Sequence, residues 1–447
     1  MLQLSLEQDL AFNKYIQGHN IFITGPGGSG KSALIKKIHE HAYKKFKEIQ
    51  VTALTGCASV LLNCKAKTLH SWAGVGLANG TTEQLIQKIK KNKFSKTAWK
   101  KTDILVVDEV SMLSLKMFNA LNAIGRSIRK NDKPFGGIQL IFSGDFYQLP
   151  PVGDKDEPET QQFCFESDEW HTTFPHSCQI QLVKIFRQTD ETYSTILNQI
   201  RNGKIKRSSC DLLLSYVGRQ LDASLVAEPT KLFPTRVKVD TINNAKMINL
   251  SGDGIIFGIK QIRDLEMTKG ERIARRQFSD KDIQFELDYL ANNLICDKEI
   301  NLKVGAQVMC IVNIQSDLGL EICNGSQGII TGFCEITSCP RVKFNNGIER
   351  TMERHVWASE RIPGIGVSQV PLILAWALTI HKSQGATMDA AEIDVGSGIF
   401  ECGQTYVALS RVKSLNGLYL TSFDISKIKI NSKVRRFYEE LSTSNTC

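Results

Sequence analysis

No apolar run in this sequence is long enough to cross a membrane. The longest, Pro371-Leu-Ile-Leu-Ala-Trp-Ala-Leu-Thr-Ile380, is about half of what a spanning helix needs. Glu7 and Asp9 stand where a secretory leader would carry a basic end and an apolar stretch, and the first arginine is Arg126. Neither secretion nor an Arg-rich organelle presequence is expected. The 12 cysteines contain no C-x-x-C pair, and the nearest grouping, Cys323, Cys334 and Cys339, has no histidine before His355. This argues against a disulfide scaffold and a zinc ribbon, and predicts reduced thiols lying in strands, in an intracellular compartment. Fixed-period repeats and low-complexity tracts are also missing. What remains is 447 residues, 42% hydrophobic and 23% charged, enough for about three domains with real cores. Lys plus Arg number 55 against 46 acidic residues, a net charge of +9 that suits a polyanion partner and equally plain solubility.

The first 150 residues alternate apolar runs with helical stretches, which predicts a parallel α/β sheet. Strands are expected at Ile21–Thr24, Gln50–Ala53, Ile104–Val107 and Ile138–Phe142, with helices at Lys31–Lys47 and Leu115–Lys130. A polar insert near residues 71–101 carries seven lysines between Lys88 and Lys101, while Leu85, Ile86, Ile89 and Phe94 give it partly helical spacing. Pro150-Pro151 and the acidic Asp154–Glu159 stretch mark a boundary, and a second α/β region is expected from Gln179. From about Gly252 to Val370, short alternating runs with Asn324-Gly325 and Asn346-Gly347 turns predict an inserted β module, after which α/β character resumes.

Gly25-Pro26-Gly27-Gly28-Ser29-Gly30-Lys31-Ser32 lies between an apolar strand and an amphipathic helix. Such glycines let backbone N–H groups wrap phosphates at a helix N-terminus. Lys31 then reaches the β- and γ-phosphates, and Ser32 ligates Mg²⁺. Asp108, at the end of Ile104-Leu-Val-Val, is the expected second metal partner, and Glu109 the group that orients or deprotonates water. Taken alone, that acidic pair could equally be a solvated turn after a strand. No acceptor pocket of a kinase is legible, which favours hydrolysis.

The run Lys133-Pro-Phe-Gly-Gly-Ile-Gln-Leu-Ile-Phe-Ser-Gly-Asp145-Phe-Tyr-Gln148-Leu-Pro-Pro-Val152 closely resembles the signature and third motif of the PIF (petite integration frequency) family, superfamily 1 DNA helicases related to RecD. Leu4-Ser-Leu-Glu-Gln8 resembles its adenine-recognising motif, and Thr52-Ala-Leu-Thr55-Gly-Cys-Ala58 and Thr68-Leu-His70-Ser71 its strand-binding motifs. Phe186-Arg187-Gln188, Leu378-Thr379-Ile-His381-Lys-Ser383-Gln-Gly385 and Tyr406-Val-Ala-Leu-Ser410-Arg411 resemble motifs four, five and six.

The resemblance implies two RecA-like P-loop NTPase cores. The first is 1–70 with 102–178, interrupted by a wedge-type insert at 71–101. The second is 179–251 with 371–447, interrupted by a β module at 252–370 that is SH3-like in its later part. It implies that Gln8 reads adenine, that Gln148 senses the γ-phosphate, and that Arg187 and Arg411 are arginine fingers donated by the second core. Thr55, Thr68, His70, Thr379, His381 and Ser383 would hold DNA phosphates, and Trp72, beside a Gly-rich turn, would stack on a base; each of these could instead be a cap or a satisfied core group. The activity implied is ATP- and Mg²⁺-dependent 5′-to-3′ translocation by a monomer on single-stranded DNA, unwinding duplex, forked or structured DNA. A rival reading is an oligomeric motor ATPase that remodels protein, which would need a neighbouring subunit's arginine. A non-catalytic module that retains the fold is opposed by the intact Lys31, Asp108, Glu109 and Arg411.

Overall fold

Ile21, Phe22 and Ile23 are all fully buried, so strand β1 (Ile21–Thr24) is covered on both faces, as a central parallel strand must be. In this computed structural model residues 4–444 are described, except 55–61, 63, 65, 77, 79, 223–226, 295, 315–321, 323 and 360. Helix α1 (Leu6–Ile16) opens on a Ser5/Gln8 capping box, and α2 (Lys31–Lys44) buries Leu34, Ile35, Ile38 and Ala42 along one stripe. Next come β2 (Ile49–Ala53), the two-residue β3 (Lys67–Thr68) and the short helix α3 (Leu69–Ala73). Helices α4 (Thr82–Lys91) and α5 (Lys93–Lys101) precede β4 (Ile104–Asp108), α6 (Leu115–Arg129) and β5 (Gln139–Gly144). These strands, with β6 (Gln179–Gln181), form one parallel sheet in the order β3-β2-β4-β5-β1-β6. Gln179–Gln181, the expected start of a second α/β region, thus extends the first sheet beside β1.

The polar insert is keyed into that first core. Leu85, Ile89 and Trp99 are buried in one apolar cluster with Trp72, whose ring centroid lies 4.4 Å from that of Trp99. Trp99 Nε1 donates to the Ala73 carbonyl at 3.1 Å, and Arg129 Nη1 donates to the carbonyls of Trp99, Lys100 and Thr102 at 2.9, 3.0 and 3.0 Å. The lysines face solvent while the apolar residues close the core, as amphipathic helices do.

The chain divides into two units. One comprises Met1–Leu212, Ile399–Ser410 and Asp424–Cys447, and the other Leu213–Gly398 and Arg411–Phe423. Within the first, helix α7 (Glu191–Arg201) is joined by two late segments that the sequence pattern groups with the second core, α8 (Gln404–Leu409) and α9 (Ser432–Ser444). Helix α9 returns because Val434, Phe437, Tyr438 and Leu441 form a single apolar stripe, and Phe437 meets Phe22, Phe146 and Trp170.

The second unit holds a four-stranded parallel sheet. Its strands are β7 (Thr230–Phe233), β8 (Ala377–Thr379), β9 (Ala391–Val395) and β10 (Leu418–Phe423), in the order β8-β7-β9-β10. A five-stranded antiparallel sheet is built from Gln307–Cys310, Gln327–Phe333, Pro340–Phe344, Glu349–Thr351 and Leu372–Leu374. The earlier part of the expected β module is partly helical, at Lys269–Arg275 and Asp280–Asn293. Capping boxes Thr268/Glu271 and Ser279/Asp282 start both helices, a signal that was present in the sequence. The cysteines also depart from expectation. Nine are free among the described residues, and of these only Cys310 lies in a strand; the others pack in helices and connections. No helix among the described residues is long and apolar enough to cross a membrane.

Candidate nucleotide site and strand-contact residues

Strand β1 delivers Gly25, and Gly30 caps α2 in the left-handed region at φ 84°. Gly28 has φ +81°, and a Cβ there would lie 2.4 Å from Cβ of Arg187, so only glycine lets the 186–188 segment cover the loop. The amide of Phe186 donates to the Gly28 carbonyl at 2.8 Å. Lys31 Nζ donates to the carbonyls of Gly25 at 2.7 Å and Pro26 at 3.0 Å, which folds the ammonium back on its own loop. Burial lowers its pKa, opposed by the carboxylates of Asp145, Glu109 and Asp108, while Arg201 adds to the lowering. Ser29 Oγ is buried with no hydrogen-bond partner among the described residues, and Ser32 is exposed in the first turn of α2. Gln8 is only 2% exposed; its Oε1 accepts from Ser5 N at 2.9 Å, and its Nε2 donates to the Gly30 carbonyl at 3.3 Å. It is thus both a helix cap and a neighbour of the loop.

Asp108 ends β4 and is buried. Burial raises its carboxyl above the ordinary value; the Ser143 hydroxyl, the Glu109 backbone amide and Lys31 pull the other way. Glu109 occupies the left-handed region at φ 56°, a conformation that costs an ordinary residue free energy. Its charge acts on both Lys31 and Arg187. Gln148 is buried, with its backbone N–H donating to the Asp145 carbonyl at 2.8 Å.

Arg187, expected on the second core, belongs to the same unit as the phosphate loop. Its Nη1 donates to the Ser410 carbonyl at 3.2 Å; burial lowers its pKa against the influence of Tyr406 and Glu109. Tyr406, on α8, accepts a hydrogen bond from the Gly27 amide at 2.9 Å. The quoted motif contained this tyrosine, but sequence reasoning gave it no task. Arg411 lies in the second unit and is 2% exposed, with its carbonyl accepting from Met388 N at 2.9 Å.

Two of the expected strand-contact residues, Thr68 and Thr379, fall at the ends of edge strands. Thr68 ends β3 and caps α3, accepting from Ser71 N at 3.3 Å; Thr379 ends β8 and accepts from Lys382 N at 3.1 Å. His70 follows in α3 and His381 on the turn after β8, both half-buried, and burial holds the His70 imidazole below its ordinary value. Two expectations fail. Trp72 is 2% exposed and packed on Trp99, with Nε1 donating to Thr102 Oγ1 at 3.3 Å, so its ring serves the core and not a base. Ser383 is fully buried, and its hydroxyl donates to the Ile380 carbonyl at 2.8 Å, which closes a turn. Thr55 lies outside the described residues.

Comparison with known proteins identifies the family. The PIF1-like helicase family pattern matches residues 3–211, and that of the DNA helicase Pif1 2B domain matches residues 287–333. The chain is 36% identical to the ATP-dependent DNA helicase PIF1 of Emericella nidulans, over 95% of this chain and 61% of that protein. It is 31% identical to the ATP-dependent DNA helicase RRM3 of Saccharomyces cerevisiae, over 98% and 68% respectively. The chain thus spans about three fifths of the first relative's length. Among solved structures, the Pif1 helicase from Candida albicans superposes with a TM-score of 0.75 at 35% identity, covering 99% of this chain and 100% of that one. The Bacteroides Pif1 helicase in complex with ADP-AlF3 and ssDNA gives 0.68 at 29% identity, covering 99% and 98%. Matched at this identity along nearly its whole length, and by a family pattern that runs through the entire phosphate loop and its acidic partner, the chain belongs to the PIF1-like helicase family.

Proposed function

We propose that this protein is an ATP-driven, Mg²⁺-dependent DNA helicase that steps 5′ to 3′ along a single strand and separates duplex, forked or structured DNA. The carrying observation is the convergence of Lys31, Asp108, Glu109, Arg187 and Tyr406 on one glycine-rich loop within a single unit. The relatives' names and the nucleotide and DNA in the Bacteroides complex support the same reading.

In this reading the backbone amides of Gly25–Gly30 hold the phosphates, Gln8 reads the adenine edge, and Lys31 exchanges its loop carbonyls for β- and γ-oxygens. The donor set suits Mg²⁺: one exposed hydroxyl, Ser32, and one buried carboxylate, Asp108, with the phosphates supplying further oxygens. That ion would neutralise charge between the β- and γ-phosphates. Glu109 takes a proton from the attacking water, Gln148 senses the γ-phosphate, and Arg187 neutralises charge on the transferring phosphoryl group. Arg411, the arginine of the sixth motif, is the other finger in this reading. Thr68, His70, Thr379 and His381 hold DNA phosphates, and the exposed lysines of α4 and α5 face the duplex junction as a wedge. In this reading the motor acts as a monomer of two cores, which the presence of Arg187 in the same unit as the loop supports.

ATP hydrolysis measured with and without single-stranded DNA, followed by unwinding of duplexes with 5′ or 3′ tails, tests this. Stimulation by DNA and unwinding of only the 5′-tailed duplex are expected; absence of stimulation sinks the reading. Glu109→Gln is expected to retain nucleotide binding while turnover falls about 10²-fold or more, as for loss of a general base. A loss of nucleotide binding instead would make Glu109 a structural or metal group. Single-strand affinity is expected to fall with a slope of about −0.7 in log K against log salt per phosphate contacted, with little dependence on base sequence. A flat anisotropy titration would contradict phosphate contacts.

A further inference from the structure

Thr24 is the last residue of β1, immediately before the phosphate loop, and Asp145 is the first residue after β5, on the turn that carries Gln148. One phenol from the far end of the chain joins them. Tyr438 Oη, on α9, lies 2.5 Å from Thr24 Oγ1, accepts from the Phe146 amide at 3.1 Å and donates to Asp145 Oδ1 at 3.3 Å. A phenol has one proton and two acceptor positions. With its proton on Asp145, it accepts from Phe146 N–H and from the Thr24 hydroxyl, and its capacity is filled. Its ring is held independently of these bonds. It stacks on Tyr147 with centroids 4.6 Å apart and planes 12° apart, and the Arg201 guanidinium lies 4.5 Å from the Tyr147 ring and 5.2 Å from that of Tyr438.

We propose that Tyr438 is a positioning residue: its hydroxyl fastens the strand entering the phosphate loop to the turn bearing Gln148, so that a displacement at the γ-phosphate end is carried into that turn as one rigid movement. The group touches no nucleotide or DNA. It acts through Thr24 and Asp145, whose side chains are buried in the close-packed interior. The proposal rests on the ATP-driven helicase reading above.

Tyr438→Phe keeps the stacked ring and removes only the hydroxyl; Thr24→Val removes the same bond from the other side. Basal ATPase, ATPase at saturating single-stranded DNA, KM for ATP and the melting temperature are measured for each. The expected result is a five- to tenfold fall in the DNA-stimulated kcat, with KM and the basal rate within about twofold of wild type. The double variant is expected to fall no further than Tyr438→Phe, because that change already removes the Thr24 link. Thr24→Ser, which restores the hydroxyl, should recover the stimulated rate. An unchanged stimulated rate, or equal losses in basal and stimulated rates that follow the melting temperature, overturns the proposal. Should Tyr438→Phe fail to fold, Thr24→Val with the Thr24→Ser control decides by the same criteria. A wild-type protein that DNA does not stimulate would instead refute the helicase reading itself.

Discussion

Replacement of Lys31 by methionine is expected to lower ATP turnover by at least about 10³-fold while single-strand DNA affinity stays within about twofold. The bonds of the ammonium, to the carbonyls of Gly25 and Pro26, lie within the phosphate loop. Preorganised charge aimed at a developing phosphoryl oxyanion is worth several kcal/mol in a water-poor site. Methionine preserves most of the buried stem, so the loss reports charge and not packing. The candidate strand contacts, Thr68 and His70 in one unit and Thr379 and His381 in the other, lie on other segments, and this separates the two readouts. Steady-state hydrolysis and fluorescence anisotropy on one preparation check both halves. Near-normal turnover would mean that the loop does not handle phosphate.

The second large effect concerns stability. Arg201→Ala should destabilise the protein by about 3–5 kcal/mol, read as a shift of the urea midpoint. Arg201 Nε and Nη2 reach the two oxygens of Asp145 at 2.9 and 2.8 Å, and Asp145 is 0% exposed. Removing the guanidinium leaves a carboxylate in the interior without its bidentate cation, and withdraws the cation from the Tyr147 and Tyr438 rings. The double change Asp145→Leu, Arg201→Met should recover much of the loss, because an apolar pair of similar volume needs no compensating charge. A single-variant midpoint equal to wild type would show that the pair contributes nothing net.

The parallel sheet around the phosphate loop was legible because its signals are local. Ile21–Thr24, the loop and the α2 stripe form one uninterrupted strand–turn–helix pattern, and the chain itself sets their order. Gln8 was singled out by resemblance alone; the structure adds that it closes the capping box of α1 and reaches the Gly30 carbonyl. What stayed hidden was non-local. Arg201 and Asp145 are 56 residues apart in the sequence, and Tyr438 and Asp145 are 293 apart, with no periodicity linking them. The return of α9 to the first unit depends on a stripe that suits any apolar face. Trp72 was misread for a related reason: a tryptophan beside glycine resembles an exposed platform until its partner, Trp99, is known. Gln179–Gln181 is too short to announce which sheet it joins.

The burial of Trp99 has a mechanical meaning. An insert hung on two flexible strands of chain would swing, and a force at its tip would be spent in that swing. Here Trp99 bolts α5 to the Ala73 carbonyl at the end of α3, and Arg129 clamps the same helix end through three carbonyls. Thr68 and His70 sit at the start of that short helix. A load pressed on the lysine face of α4 and α5 therefore passes, through close-packed side chains of low compressibility, into the very turn that bears those two residues. In the proposed wedge role, the insert and that turn would act as one bracket braced against the edge of the parallel sheet.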